Sequence, residues 1–152
     1  MRVVSGLEGF KELVGTELGT SQWMEITSEM VQAFSEVTGD HQWIHLDSER
    51  VKKELALEGP IVQGFLTLSL VVMFREQIIA STGISRTINY GLNRVRFLSP
   101  VIVGSRVRGT EKLLEVSPIG QDGLRLTSLC TIYVENHKKP ACVAEFVSLV
   151  FR

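Results

Sequence analysis

The chain has 152 residues, of which 44% are apolar and 22% are charged. This length and composition predict a single domain over residues 1–152, large enough to bury a core without metal or disulfide staples. The formal net charge of −1 gives no overall electrostatic reason to expect nucleic acid or an anionic membrane as a partner. The longest apolar run, residues 64–74, is too short to span a membrane.

Two features of the sequence favour the reducing cytoplasm as the location of the protein. Residues 1–15 lack a sustained apolar run and contain an acidic residue by position 8, which is unlike a signal peptide. Cys130 and Cys142 each lie in a strand-like run, and buried free thiols are the favoured interpretation over a disulfide.

The first part of the chain is predicted to form short helices and one short strand. A helix is predicted over residues 6–14 and a strand over residues 21–27. Thr27 is a suitable N-cap for a further helix, which Gly39 is expected to end. The apolar stripe of that helix follows the spacing i, i+3, i+4, i+7 and consists of Met30, Ala33, Phe34 and Val37.

The next elements are two helices. Asp47 is expected to cap a polar helix over residues 48–58, which ends at Gly59–Pro60. A segment over about residues 61–81 is apolar nearly all round as far as Phe74, as expected of a helix that is buried on most sides.

The second half of the chain reads as strands separated by turns. The four predicted strands cover residues 86–98, 105–117, 124–135 and 141–151. Because the connections between them are short, the strands are expected to be antiparallel. The pattern therefore predicts an α+β fold in which a curved antiparallel sheet wraps around one long hydrophobic helix.

A polar cluster, "DHQWIHLD", lies between two of the predicted helices and contains Asp40, His41, His45 and Asp47. Three interpretations are open from the residues alone: a metal site, an acid/base pair or an ordinary polar loop. The two histidines have a spacing that suits one helix face, but they follow the helix stop and no third nitrogen or sulfur ligand is evident. Metal binding is therefore disfavoured.

The other two interpretations both suit these residues. An aspartate just after a helix can bond local backbone N–H groups in an Asx-type turn, and His45 can be a satisfied, half-buried side chain. Alternatively, the apolar neighbours and the long helix supply the setting that an acid/base pair needs. Asp40 and a nearby histidine of the cluster would then hold one water and exchange protons with it.

The sequences "FSEVTGDHQWIH" and "GPIVQGFLTLSLV" resemble the MaoC-like family of dehydratases and (R)-specific enoyl-CoA hydratases, which have the hot-dog fold. The match includes the aspartate and the histidine five residues later. "NYGLNRVRFLSPVIVGSRV" is similar to the strand–turn–strand of the family. Gln42–Trp43 replaces the usual Asn–Pro, as in the nodulation-protein-N-like branch, and Gln63 stands where the family often has histidine.

The resemblance implies a specific site and reaction. Asp40 and His45 become the catalytic pair, and the backbone N–H of Gly64 becomes the group that polarises a thioester carbonyl. Gln63, directly before it, is expected with Gly64 among the residues that contact the substrate. The implied reaction is hydration of a trans-2-enoyl thioester of coenzyme A or of acyl carrier protein. It needs no metal or other cofactor, because the thioester itself acidifies C2. The family also implies a homodimer whose sheets join edge to edge.

The strand over residues 86–98 supplies further candidates for substrate binding. Asn93 and Arg94 are expected to line the entrance to the site or to contact the phosphates of coenzyme A, since arginine suits phosphate recognition. A solvated face or polar contacts at the dimer edge would explain them equally well.

Two other functions remain open because a fold does not fix a reaction. The first is an acyl-CoA thioesterase, although the predicted central helix has no acidic residue before Glu76. The second is a non-catalytic module that binds acyl thioesters.

Overall fold

The computed structural model describes residues 1–152. Its helices are α1 (Gly6–Lys11), α2 (Ser28–Thr38), α3 (Trp43–Leu46), α4 (Ser48–Leu55) and α5 (Gly64–Ile78). Its strands are β1 (Arg2–Ser5), β2 (Glu17–Thr20), β3 (Met24–Glu25), β4 (Ile79–Thr82), β5 (Arg86–Phe97), β6 (Arg106–Ile119), β7 (Gly123–Val134) and β8 (Cys142–Phe151).

The main sheet is antiparallel and has the strand order β2–β6–β7–β8–β5, with β3 also paired to β6. The four long strands predicted from the sequence form most of it. β5 lies at one end of this order, so one of its edges has no partner strand in the chain.

The central helix α5 packs against one face of the sheet, which we call the inner face. Its buried side chains share one hydrophobic core with residues of β6, β7 and β8. Side chains that point away from α5 define the outer face of the sheet. Because alternate residues of a strand point to opposite faces, the register of each strand decides which residues can reach the helix.

The first part of the chain differs from the sequence prediction in its details. β1 pairs in parallel with β4, and β2 pairs with β6, although neither short strand was predicted. Of the strand predicted over residues 21–27, only Met24–Glu25 joins the sheet. Four-residue strands that pair with distant partners leave too short a hydrophobic pattern to be recognised.

The apolar stripe predicted for α2 is also displaced in the structure. Val31 and Ser35 are its buried residues, whereas Val37 is 86% exposed in the single chain. The physical reason is a polar contact: Ser35 accepts a hydrogen bond from a buried glutamine of the α5 start, so a serine occupies the inner face of the helix.

No helix of the structure is both long and apolar enough to cross a membrane. Cys130 and Cys142 are buried free thiols, as predicted.

Candidate active site

The end of α2 places Asp40. Thr27 caps the start of the helix by accepting the Met30 N–H, and Gly39 ends it with a φ of 74°, which favours glycine. Both ends agree with the sequence prediction. Immediately after this left-handed residue, Asp40 Oδ1 lies 3.4 Å from the Gln42 N–H, in an Asx-type turn. The other carboxylate oxygen, Oδ2, remains free to face His45.

His45 lies on α3 and is buried, with 9% of its surface exposed. Its Nδ1 is 2.5 Å from the backbone carbonyl oxygen of Ile61. A carbonyl oxygen only accepts hydrogen bonds, so Nδ1 carries a proton and donates it. In the neutral form of the ring, Nε2 then carries the lone pair on the other side, where Asp40 Oδ2 lies 3.6 Å away. Any proton that passes between the ring and the Asp40 carboxylate must therefore pass through Nε2.

The segment before α5 is fixed to the same histidine. The Ile61 N–H donates to the Ile44 carbonyl at 2.9 Å, while the Ile61 carbonyl accepts from His45. This pair of bonds brings residues that are 16 positions apart into contact. It sets the start of α5 directly beside the catalytic pair predicted from the sequence.

Gly64 is the first residue of α5, so its N–H has no carbonyl partner within the helix. The position also has little room for a side chain. A Cβ on Gly64 would lie 3.2 Å from three atoms of the Phe97 ring. Glycine here allows Phe97 to approach the start of the helix, and a free N–H at a helix N-terminus suits a developing negative charge.

His45 and Gly64 line one cavity of about 340 Å³. Apolar residues of the β5 end and of the following loop form much of its wall, including Phe97, Leu98 and Val101. Asp40 adjoins this cavity through its contact with His45 and is 42% exposed. A larger cavity of about 400 Å³ lies against the second half of α5, and none of the site residues predicted from the sequence lines it.

Gln63 has a different position from the one expected for a substrate contact. It is 2% exposed, and its side-chain Nε2 donates to Ser35 Oγ at 2.8 Å and to the Val31 carbonyl at 3.2 Å. The side chain thus points to α2 and does not line the cavity. Its observed contacts connect α2, which Asp40 follows, to α5, which begins at Gly64.

Asn93 and Arg94 also lie apart from the cavity lining. Asn93 occupies a register shift in the pairing of β5 with β8, and Arg94 pairs in register with Glu145. Arg94 lies on the outer face, because the neighbouring register pair, Val95 with Ala144, faces the core. The predicted contact of these two residues with substrate stays a prediction.

The remaining members of the polar cluster are peripheral. His41 faces Glu36 at 3.7 Å on the surface, and Asp47 accepts the Arg50 N–H at 2.9 Å as the cap of α4. No three His, Cys, Asp or Glu side chains are grouped as metal ligands would be. Sequence reasoning did not find the Ile61 carbonyl or Phe97, because neither a backbone oxygen nor a common core residue carries a recognisable signal.

Comparisons with known proteins agree with this architecture. Residues 9–127 match the MaoC like domain. The chain is 43% identical over 151 residues to the 3-hydroxyacyl-thioester dehydratase Z of Mycobacterium tuberculosis, covering 97% of each chain. It is 39% identical over 151 residues to nodulation protein N of Rhizobium meliloti, covering 94% of this chain and 89% of that protein.

A solved structure extends the comparison to the fold. The (R)-hydratase from A. caviae superposes with a TM-score of 0.69 and 25% identity, covering 89% of this chain and 94% of that one. The chain belongs to the MaoC-like family. Its predicted α+β hot-dog fold, a curved antiparallel sheet around one long hydrophobic helix, is confirmed.

Proposed function

We propose that this protein is an (R)-specific enoyl-CoA hydratase, which adds water across a trans-2-enoyl thioester and catalyses the reverse dehydration. The reaction class, a hydro-lyase, is that of the dehydratase and the (R)-hydratase to which the chain is similar. The observation that carries the proposal is the single cavity lined by His45 and by Gly64, with the Asp40 carboxylate 3.6 Å from His45 Nε2.

The geometry suggests how the pair would hold a water. With Nδ1 protonated, the neutral His45 Nε2 and the Asp40 Oδ2 are both hydrogen-bond acceptors. Two acceptors facing each other are satisfied by a water that donates one hydrogen to each. Such a water is oriented with its oxygen lone pairs away from both groups, and therefore available to attack carbon.

The thioester would lie with its carbonyl oxygen at the start of α5. The Gly64 N–H then donates to this oxygen, and the donation strengthens as the oxygen gains enolate character. Water oxygen bonds to C3 while the C2=C3 π electrons move toward the carbonyl. The Asp40–His45 pair removes one proton from the water and one proton is delivered to C2 on the same face. The pair returns to its starting protonation state.

Steady-state hydration of trans-2-enoyl-CoA esters of several chain lengths tests the proposal. Asp40→Asn and His45→Gln are each expected to lower kcat by about 10²–10⁴-fold, because each removes a proton-transfer group. Chiral analysis of the product is expected to give the (R)-3-hydroxyacyl ester. Wild-type activity retained in both variants would show that another site does the chemistry. Release of free coenzyme A from saturated esters would instead indicate a thioesterase.

We also propose that two copies of the chain pair through β5. This 12-residue strand has one open edge, and nearly all of its residues are exposed, including Ile88 and Tyr90. A long exposed edge strand is a template for pairing with another chain. Light scattering is expected to give the mass of a dimer, and a monomer at micromolar concentration would contradict this arrangement. Ile88→Lys with Tyr90→Lys is expected to lower the dimer fraction.

A further inference from the structure

A groove of about 260 Å³ lies on the outer face of the sheet, at the end of β5 that is nearest the catalytic cavity. It is lined by Arg94, Arg96, Leu98, Leu129, Val143 and Glu145. Arg94 and Arg96 are two positions apart on one strand, so both side chains project from the same face. They form a small basic site on a protein whose formal net charge is −1.

The two guanidinium groups have no carboxylate partner. No acidic oxygen lies within 4 Å of either arginine, including those of Glu145, which pairs in register with Arg94. The only side-chain hydrogen bond of Arg96 is to the neighbouring Val95 carbonyl, at 2.7 Å. Most of the donors of both side chains are therefore available to a ligand, and arginine donors suit phosphate oxygens.

The groove adjoins the catalytic cavity. Leu98 lines both, and the strand continues from Arg96 through Phe97, which lies against Gly64. A ligand that places its reactive end beside Gly64 can therefore extend past Leu98 onto the two arginines. If two copies pair through β5 as proposed, the pairing bonds form between backbone groups at its open edge, whereas the two guanidinium groups project from the outer face.

We infer that the Arg94–Arg96 groove binds the phosphates of the coenzyme A part of the substrate. This inference rests on the proposed function and deepens it, because it assigns residues to the coenzyme A part of the substrate as well as to its reacting end. Glu145 opposes the interaction, since its carboxylate adds a negative charge to the wall of the phosphate site.

Two esters of the same enoyl group separate the phosphate contacts from the chemistry. One is the coenzyme A ester, and the other is the N-acetylcysteamine ester, which has no phosphate. Arg94→Ala and Arg96→Ala are each expected to raise KM for the coenzyme A ester about tenfold, with kcat unchanged, because each removes a charge-assisted hydrogen bond. Neither substitution should change KM for the N-acetylcysteamine ester.

Two further variants sharpen the result. Arg86→Ala is the matched control, since Arg86 lies on the same strand but at its far end, stacked 4.3 Å over Phe151. It is expected to leave both KM values unchanged. Glu145→Gln is expected to lower KM for the coenzyme A ester. Equal effects of Arg94→Ala and Arg96→Ala on both esters, or no effect on either, would overturn the inference.

Binding measurements keep this test independent of catalysis. Isothermal titration of wild-type protein with coenzyme A and with dephospho-coenzyme A is expected to show weaker binding of the second. The Arg94→Ala/Arg96→Ala double variant should lose that difference. If the wild type hydrates neither ester, the proposed reaction fails. If coenzyme A binds equally to wild type and double variant, the phosphate site fails.

Discussion

Replacement of Gln63 by leucine tests whether the contact between α2 and α5 sets the geometry of the active site. The two helices carry the two halves of the proposed machinery, since Asp40 follows the end of α2 and Gly64 begins α5. Gln63 joins them through its bonds to Ser35 Oγ and to the Val31 carbonyl. Leucine has a similar volume but no donor, so the helices remain packed while the polar connection is lost.

The structure gives the expected size of the effect. Two buried hydrogen bonds are removed, at about 1 kcal/mol each. Part of this loss is recovered, because Gln63 Oε1 is itself buried without a partner and leucine removes that unsatisfied oxygen. The free energy of unfolding should fall by about 1–2 kcal/mol, and kcat by about 10–100-fold, since a displacement of an ångström between reacting groups costs that much.

Stability and turnover need to be measured on the same variants. Urea unfolding measures stability and enoyl-CoA hydration measures turnover, both at 25 °C, where Gln63→Leu is expected to remain folded. Ser21→Ala is the matched control: it removes one buried hydrogen bond, from the Gly109 N–H at 2.9 Å, on strand β6. This control should lose similar stability and no activity. Gln63→His retains a donor and should recover much of kcat.

One outcome would refute the positioning role. If Gln63→Leu and Ser21→Ala lose the same stability and keep the same kcat, the contact between α2 and α5 serves folding alone. Ser35→Ala gives a second check, because it removes the same bond from the other side. Its effect on kcat should not add to that of Gln63→Leu.

Three further predictions concern stability. Arg75→Met leaves the Glu111 carboxylate, which is 1% exposed, without its partner at 3.0 Å. The free energy of unfolding in urea should fall by about 3–5 kcal/mol. Combining Arg75→Met with Glu111→Leu should recover most of that loss. Burial raises the pKa of Cys130 to about 12 and of Cys142 to about 11. The unfolded thiols ionise near pH 9, so the folded state binds more protons above that pH, and the free energy of unfolding should fall by about 1.4 kcal/mol per pH unit per thiol until the folded pKa is reached. Replacing both thiols by alanine should flatten this alkaline slope, and an unchanged slope would contradict the assignment. Asp47→Ala should cost about 1 kcal/mol through loss of the α4 cap, without changing kcat.

The sequence predicts the fold where its patterns are long. The strands of 10–14 residues and the central helix each repeat their hydrophobic pattern several times, and their approximate positions are confirmed. The ends of α2 are also predictable, because Thr27 and Gly39 have local roles that neighbouring residues reveal. The buried face of α2 is not predictable, because Ser35 is buried by a partner 28 positions away.

The same distinction holds for the candidate site. Asp40 and His45 could be selected by type and spacing, and the structure brings them within 3.6 Å of each other. The ring nitrogen that carries the proton could not be predicted, because it depends on the Ile61 carbonyl, which is distant in sequence. Gln63 shows the converse: its neighbour Gly64 lines the cavity, but its own side chain turns to α2.

The bonds between Ile61 and the α3 turn also make part of the chain replaceable. They fix both ends of the segment that contains α4, at the α3 turn and at Ile61. The stretch between Leu55 and Gly59 is therefore not needed to hold the catalytic pair in place. Its residues are mostly exposed, and Ala56 already adopts a left-handed conformation with φ of 53°. Doubling such a loop costs only about 0.6 kcal/mol in closure entropy. Insertions at this point should therefore be tolerated without disturbing the bonds that hold His45 beside the start of α5.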